Sequence, residues 1–176
     1  MNVIKAVVTG EYEVIGDPCE ADCVIGQSFG AAEFGHGRVN KLLARYIIRE
    51  AFDDTPLLLQ NEIADALSTE PRLHDLRIEG KPSTSTGGEL DSWEVLRQFR
   101  EYMDDHNLNR PILVAQAHHV GRLFLQAMKQ GMDPIVLAGL PTEFDPDSTQ
   151  IWTRSAKLWI PRELAGMAYL KAKHKL

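Results

Sequence analysis

The sequence predicts an α/β fold, a three-layer Rossmann-like sandwich on a mainly parallel sheet, and three observations predict it. First, short continuous apolar runs at Cys23–Ile25, Leu57–Leu59, Ile112–Ala115 and Ile135–Leu137 show no polar alternation. Strands covered on both faces read this way. Second, amphipathic stretches lie between them, such as Val39, Leu42, Leu43, Tyr46 and Ile47 on one helical face. Third, the two kinds of segment alternate along the chain, which is the order that βαβ units impose. A chain of 176 residues that is 44% hydrophobic can bury one core, so residues 1–176 are expected to form a single domain.

Each element has its own local signal. Val3 to Val8 is apolar and β-branched and reads as a first strand or an edge hairpin, followed by a turn at Gly16-Asp17-Pro18. Cys23–Gln27 reads as a central strand and Arg38–Phe52 as a helix. Thr55-Pro56 ends that helix, because the residue before proline is pushed out of the α region. Leu57–Gln60 is a second buried strand, with Asn61 placed to cap a short helix over Glu62–Leu67. Asp75–Glu79 carries a weaker strand pattern, and Gly80–Gly88 reads as a loop. Asp91 with Glu94 three residues on is a capping-box arrangement, and Val95, Leu96, Phe99, Tyr102 and Met103 follow on one helical face. Pro111–Ala117 is a third strand. Val120, Leu123, Phe124 and Ala127 mark a helix ending near Gly131, and Pro134–Ala138 is a fourth strand. After an acidic loop over Gly139–Thr149, the chain reads as helical from about Trp152 to Lys173, interrupted or restarted at Pro161.

Composition narrows the function. The formal net charge is −6, from 19 basic and 25 acidic side chains. That balance argues against nonspecific nucleic-acid binding and suits a soluble cytoplasmic protein. The apolar stretch at the N-terminus is broken by Lys5 and followed by acids, too short and interrupted for a signal peptide or a membrane span. Cys19 and Cys23 form neither a disulfide framework nor a zinc ligand set, so no metal is expected. Cys23 reads as a buried hydrophobe and Cys19 as a loop thiol.

The candidate site follows from the fold. In open parallel sheets ligands bind beyond the carboxyl ends of the strands, near a switch in strand order. That rule selects the glycine-rich loop after Ile25, the Gln60-Asn61-Glu62 turn and the segment Gln116-Ala117-His118-His119. Gly26, Gln27, Ser28 and Gly30 stand in the first, ahead of a helix opened by Arg38. A glycine loop running into a helix N-terminus favours an anion. Its spacing fits neither the dinucleotide fingerprint nor the P-loop. Gln60 and Glu62 stand in the second segment. Gln116, His118 and His119 stand in the third, with Arg122 one helical turn on. A strand-end histidine could act as general base, metal ligand or phosphate contact. Glu94 is explained by capping alone, and Trp93, Trp152 and Trp159 by packing. No G-x-S-x-G elbow or H-E-x-x-H motif is present, and the sequence assigns Ser28 no basic neighbour.

Four segments together resemble the YdcF-like branch of the SanA/ElyC family. They are ADCVIGQSFG, HGRVNKLLARYI, LLLQNEIADAL and PILVAQAHHVGRLFLQAMKQGM, and the tail around Trp152, Trp159, Arg162 and Glu163 also fits. Where that family shows an S-x-N-T-x-E-N-like motif, this chain has Asp91-Ser92-Trp93-Glu94, with Asp and Ser in place of Asn and Thr. The resemblance implies a Rossmann-like domain, here without the N-terminal membrane helix typical of SanA/ElyC members. The expectation is a cytoplasmic protein binding a small anionic or nucleotide-like molecule. Gln60, Glu62, Glu94, His118 and Arg122 would line the same cleft. As an enzyme it would be a hydrolase or transferase acting on a phosphorylated or adenosyl compound, with His118 or Glu62 as base. The alternative is a non-catalytic sensing or assembly module linked to cell-envelope upkeep.

Overall fold

The computed structural model describes residues 1–32, 37–50, 55–67 and 91–176, and the backbone of 76–78. Among them, β1 (Cys23–Gly26), β2 (Leu57–Gln60), β3 (Leu76–Ile78) and β4 (Pro111–Val114) form one sheet in the order β3-β2-β1-β4. All three pairings are parallel, with Ile25 opposite Leu58 on one side and Leu113 on the other. Every residue of β1, β2 and β4 is buried, so the continuous apolar runs are what a doubly covered sheet requires.

The helices are α1 (Val3–Thr9), α2 (Arg38–Glu50), α3 (Asn61–Ala66), α4 (Ser92–Asp105), α5 (Ala117–Lys129) and α6 (Ala156–Ala172). The chain steps from β1 through β2 to β3, then returns across the sheet to β4. Right-handed crossovers therefore put α2 and α3 on one face and α4 on the other. The contacts agree, since α2 packs on α3 whereas α4 and α1 pack on α5. Val39, Leu43, Ala44 and Ile47 form the buried stripe of α2, and Val95, Leu96, Phe99 and Met103 that of α4. Asp91 caps α4 through its carboxylate, which accepts the Glu94 N–H at 2.9 Å.

Four expectations need correction. Val3 to Val8 is a helix, not a strand. The Asn2 side chain accepts the Lys5 N–H, Gly10 closes the C-terminus at φ 72°, and Val3, Ala6 and Val7 are buried at helical spacing. Capping and period outweigh the strand preference of the β-branched residues. Pro134–Ala138 is not a full central strand. Ile135 makes a single parallel bridge to Ile112, and Val136 an antiparallel one to Ile15, outside β4. Pro134 supplies no N–H, and Gly139 turns the chain away at φ 80°. The third strand ends at Val114, and Ala117 already belongs to α5. The C-terminal helix runs through Pro161 without a restart. The loop expected over Gly80–Gly88 lies outside the described residues, as do Phe52, Asp75 and Glu79.

Gly26 is a packing position. A Cβ built there would come within 2.7 Å of Leu59 Cδ2 and 3.1 Å of Ile47 Cδ1, both side chains fully buried. Overfilling a close-packed core of this kind costs about 1–3 kcal/mol. Gly26→Ala is accordingly expected to lower the melting temperature by several degrees in differential scanning calorimetry. An unchanged melting point would remove this assignment.

Candidate functional site

A cleft of about 610 Å³ opens at the carboxyl ends of the strands, where the order reverses between β1 and β4. Three segments far apart in sequence meet there: Gln27 to Gly30 after β1, Gln60 and Glu62 at the end of β2, and His119 and Arg122 on α5. The start of α4 adds Asp91, Ser92 and Val95. The C-terminal segment closes the other side with Gln150, Trp152, Thr153, Trp159, Arg162 and Glu163.

A buried charged cluster forms one wall. The Glu163 carboxylate is 1% exposed and accepts from Arg122 Nε at 2.6 Å. The same oxygen lies 3.2 Å from His119 Nδ1, and Arg122 Nη2 approaches that nitrogen at 3.2 Å. On its other side, His119 Nε2 meets Gln27 Oε1 at 3.2 Å and Ser92 Oγ at 3.4 Å. The two tautomers of the ring use these contacts differently. With the proton on Nε2, the ring donates to Gln27 and accepts from Arg122. With the proton on Nδ1, it donates to Glu163, and Nε2 is an acceptor for the Ser92 hydroxyl. In the second case a half-turn of the Gln27 amide offers its N–H₂ to the same nitrogen. Trp159 buttresses the ring edge-on, at 5.4 Å between centroids, and stacks T-shaped on Phe29 at 4.7 Å.

Burial and charge set the protonation states. Burial pushes the His119 pKa down, the Arg122 charge pushes it further, and the Glu163 contact only partly offsets them. The ring is therefore held neutral near pH 7. For Glu163 burial raises the pKa, but the His119 hydrogen bond and the Arg122 charge together outweigh it and hold the carboxyl at about 2.

The glycine loop is held from below. Gln60 Oε1 accepts from both the N–H and the hydroxyl of Ser28, at 2.8 and 3.0 Å. Asn40, fully buried in α2, accepts the Phe29 N–H at 2.8 Å and donates to the Gly30 carbonyl at 3.3 Å. Gly30 sits at φ 79°, and a Cβ there would strike Thr153 Oγ1 at 2.8 Å and Ser148 Oγ at 2.9 Å. Only glycine lets this loop lie against the segment 148–153, which its hydrogen bonds to Ala31 then fasten.

Of the residues predicted from sequence, Gln27, Ser28, Gly30, Gln60, Glu62, His119 and Arg122 line the cleft. Five do not. Gly26 packs against Leu59 and Ile47. The Arg38 side chain is exposed, and its backbone N–H donates to Asp145 Oδ2 at 2.8 Å. Glu94 turns toward Arg97, whose Nη2 donates to it at 2.7 Å, and this bond lowers its pKa. Gln116 caps α5 by accepting the His118 N–H and donates to the Thr142 and Glu143 carbonyls. His118 points away from the cleft: its Nδ1–H donates to the Val7 carbonyl at 2.9 Å and its ring lies against Gly10 and Phe144. Asn61 does not cap α3 but begins it, following Gln60.

Sequence reasoning missed Ser92 and Glu163 as site residues. The four-residue spacing of Trp159 and Glu163, which puts both on one face of α6, was the available signal. The tryptophans are divided. Trp159 is buried and also meets the cleft, whereas Trp152 lies at the mouth with the Arg162 guanidinium 4.2 Å over its ring. Cys23 is buried and Cys19 exposed, as their sequence contexts predict. Among the described residues no helix is long and apolar enough to cross a membrane, and no group of three His, Cys, Asp or Glu is arranged for a metal ion. Compared with known proteins, the chain matches no family model, no curated protein and no solved structure.

The cluster gives a pH dependence of known sign. Both pKa values are depressed in the folded state, so unfolding takes up protons as the pH falls. The His119 contribution to stability begins to be lost below its ordinary value of 6.5. That of Glu163 is lost between 4.5 and about 2. Glu163→Gln leaves the Arg122 charge buried without its partner, a change that costs about 3–5 kcal/mol. Melting temperatures measured from pH 7 to pH 3 should show the variant well below wild type at neutral pH, with the gap narrowing below about pH 4.5. A constant gap would mean that Glu163 is not an ionised partner.

Proposed function

We propose that the cleft binds a small anionic or nucleotide-like molecule, as a cytoplasmic protein of the YdcF/SanA type would, and acts on it as a hydrolase or transferase. The observation that carries this reading is the convergence of Gln27, Gln60 and His119 on one cleft at the switch in strand order. A volume of about 610 Å³ fits a ligand the size of a nucleotide or sugar phosphate. Cationic recognition falls to Arg162 and Arg122, which line the cleft, rather than to Arg38, which does not; Arg162 stands over the Trp152 ring and Arg122 pairs with Glu163. Trp152 and Tyr169 bring aromatic surface to the same cleft for a ring-bearing ligand. Of the two expected bases, only Glu62 reaches the cleft. His119 takes the place of His118.

A second reading, the non-catalytic sensing or assembly module, has its own support. Ile151, Leu158 and Tyr169 are 59%, 45% and 63% exposed and come from the same C-terminal segment, apolar surface that a partner could cover.

The two readings separate in a thermal-shift panel of nucleotides, sugar phosphates and S-adenosyl compounds. A ligand at about 100 times its dissociation constant stabilises the native state by roughly 2.7 kcal/mol. For a domain of this size that is a shift of about 5–10 °C. At least one anionic compound should give it, and Arg162→Ala should remove most of the shift, measured against the variant's own unliganded melting point. A panel with no hit favours the assembly module. A shift that survives Arg162→Ala puts anion recognition elsewhere.

A further inference from the structure

We propose that Ser92 is a nucleophile, activated by His119 and oriented through Glu163, and that the cleft hydrolyses a small acyl ester by way of a seryl ester intermediate. This inference rests on the cleft being a ligand site and adds to it the reacting atom and the bond broken. Three side chains from three elements stand in line. Ser92 Oγ on α4 lies 3.4 Å from His119 Nε2 on α5, and His119 Nδ1 lies 3.2 Å from Glu163 Oε1 on α6. All three line the cleft. A nucleophile, a base and a group that holds the base's far nitrogen are what serine activation requires, and such contacts are often loose without substrate.

The surroundings fit those roles. Ser92 is partly exposed, whereas the ring behind it is 3% exposed, so the hydroxyl is open to a ligand and the base is shielded from bulk water. Ser92 is also the first residue of α4, a helix of 14 residues, whose leading N–H groups have no acceptor within the helix. Those of Ser92 and Trp93 are the ones nearest the hydroxyl in the chain and would be the donors to the negative oxygen of a tetrahedral intermediate. The neighbouring Asp91 carboxylate is engaged with the Glu94 N–H and with Lys175, 3.3 Å away. Ser28, the other serine lining the cleft, has no such base, since its proton is donated to Gln60.

The step balances without any further reactant than water. Ser92 Oγ attacks the ester carbonyl carbon, and its proton passes to His119 Nε2. The imidazolium is stabilised by Glu163. The intermediate collapses by breaking the carbon–oxygen bond, and the leaving alcohol takes the proton from Nε2. Water, deprotonated by the same nitrogen, then releases the carboxylic acid and restores the Ser92 hydroxyl. The Nδ1–H tautomer is the one that runs this sequence.

Diisopropyl fluorophosphate is the probe, because a serine nucleophile displaces its fluoride and keeps the phosphoryl group. Intact-mass and peptide mass spectrometry of the full chain should place one label on Ser92. Ser92→Ala should abolish labelling and keep its melting point. His119→Gln should slow it about 100-fold or more. If that variant does not fold, the wild-type pH profile replaces it. The labelling rate should fall with pH as His119 protonates, under the charges facing the ring, which are Arg122, Arg162 and Glu163. No label on folded protein, a label on Ser28 or elsewhere, or a rate indifferent to both His119→Gln and pH would overturn the proposal. A ligand found by thermal shift in a protein that takes no label would end the nucleophile and leave the binding site standing. Labelling at Ser92 without any ligand hit would do the reverse.

Discussion

A carboxylate with 1% of its surface exposed must be compensated where it stands, and Glu163 organises this molecule around that need. A lone buried charge costs several kcal/mol, so it survives only with donors fixed in place. Arg122 and His119 supply them from α5. Meeting the requirement seats α6 against α5 and brings Trp159 under Phe29 and the His119 ring. With α6 seated, the segment 148–153 reaches the glycine loop and closes the cleft. The wall of the site and the fastening of the C-terminal helix are thus one interaction, and the site cannot be loosened without loosening the helix.

The cluster also divides the labour of two adjacent histidines. Both stand in the first turn of α5, where successive side chains point about 100° apart. His118 turns to the end of α1 and satisfies the Val7 carbonyl, one of the acceptors a helix leaves open. His119 turns to the cleft, where burial and Arg122 keep it neutral and able to accept a proton. Sequence reasoning placed the pair at a strand end, where neighbours face opposite sides. It took His118 as the base and His119 as a ligand contact, whereas in the helix it is His119 that lines the cleft.

Much of the fold was legible because its signals are local. The runs Cys23–Ile25, Leu57–Leu59 and Ile112–Val114 are apolar without alternation because the sheet is covered on both faces, and Asp91 announces α4 because a cap acts over three residues. The strand-end rule then located the cleft without coordinates. The failures share a cause. Val3–Thr9 has strand-like side chains in a helix fixed by its caps and by α5. Arg38 and Glu94 were assigned by position in the chain, although the Arg38 side chain is exposed while its backbone N–H binds Asp145, and Glu94 turns aside to Arg97. Glu163 finds Arg122 41 residues away, and Ser92 finds His119 27 away. Nothing within one helix can reveal a contact of that separation.

The seat of α1 bears on how the chain is made. Its buried face packs on α5, and its last turn is closed by the His118 ring. More than a hundred residues must leave the ribosome before that surface exists, which at about 5–20 residues per second means α1 waits for several seconds or longer. β1 must likewise wait for β4, its neighbour in the sheet though not in the chain. Until then the apolar faces of both are exposed to water or to chaperones. Long-range closure of this kind slows folding, and a nascent chain that stalls before α5 would carry an N-terminal helix with nothing to dock on.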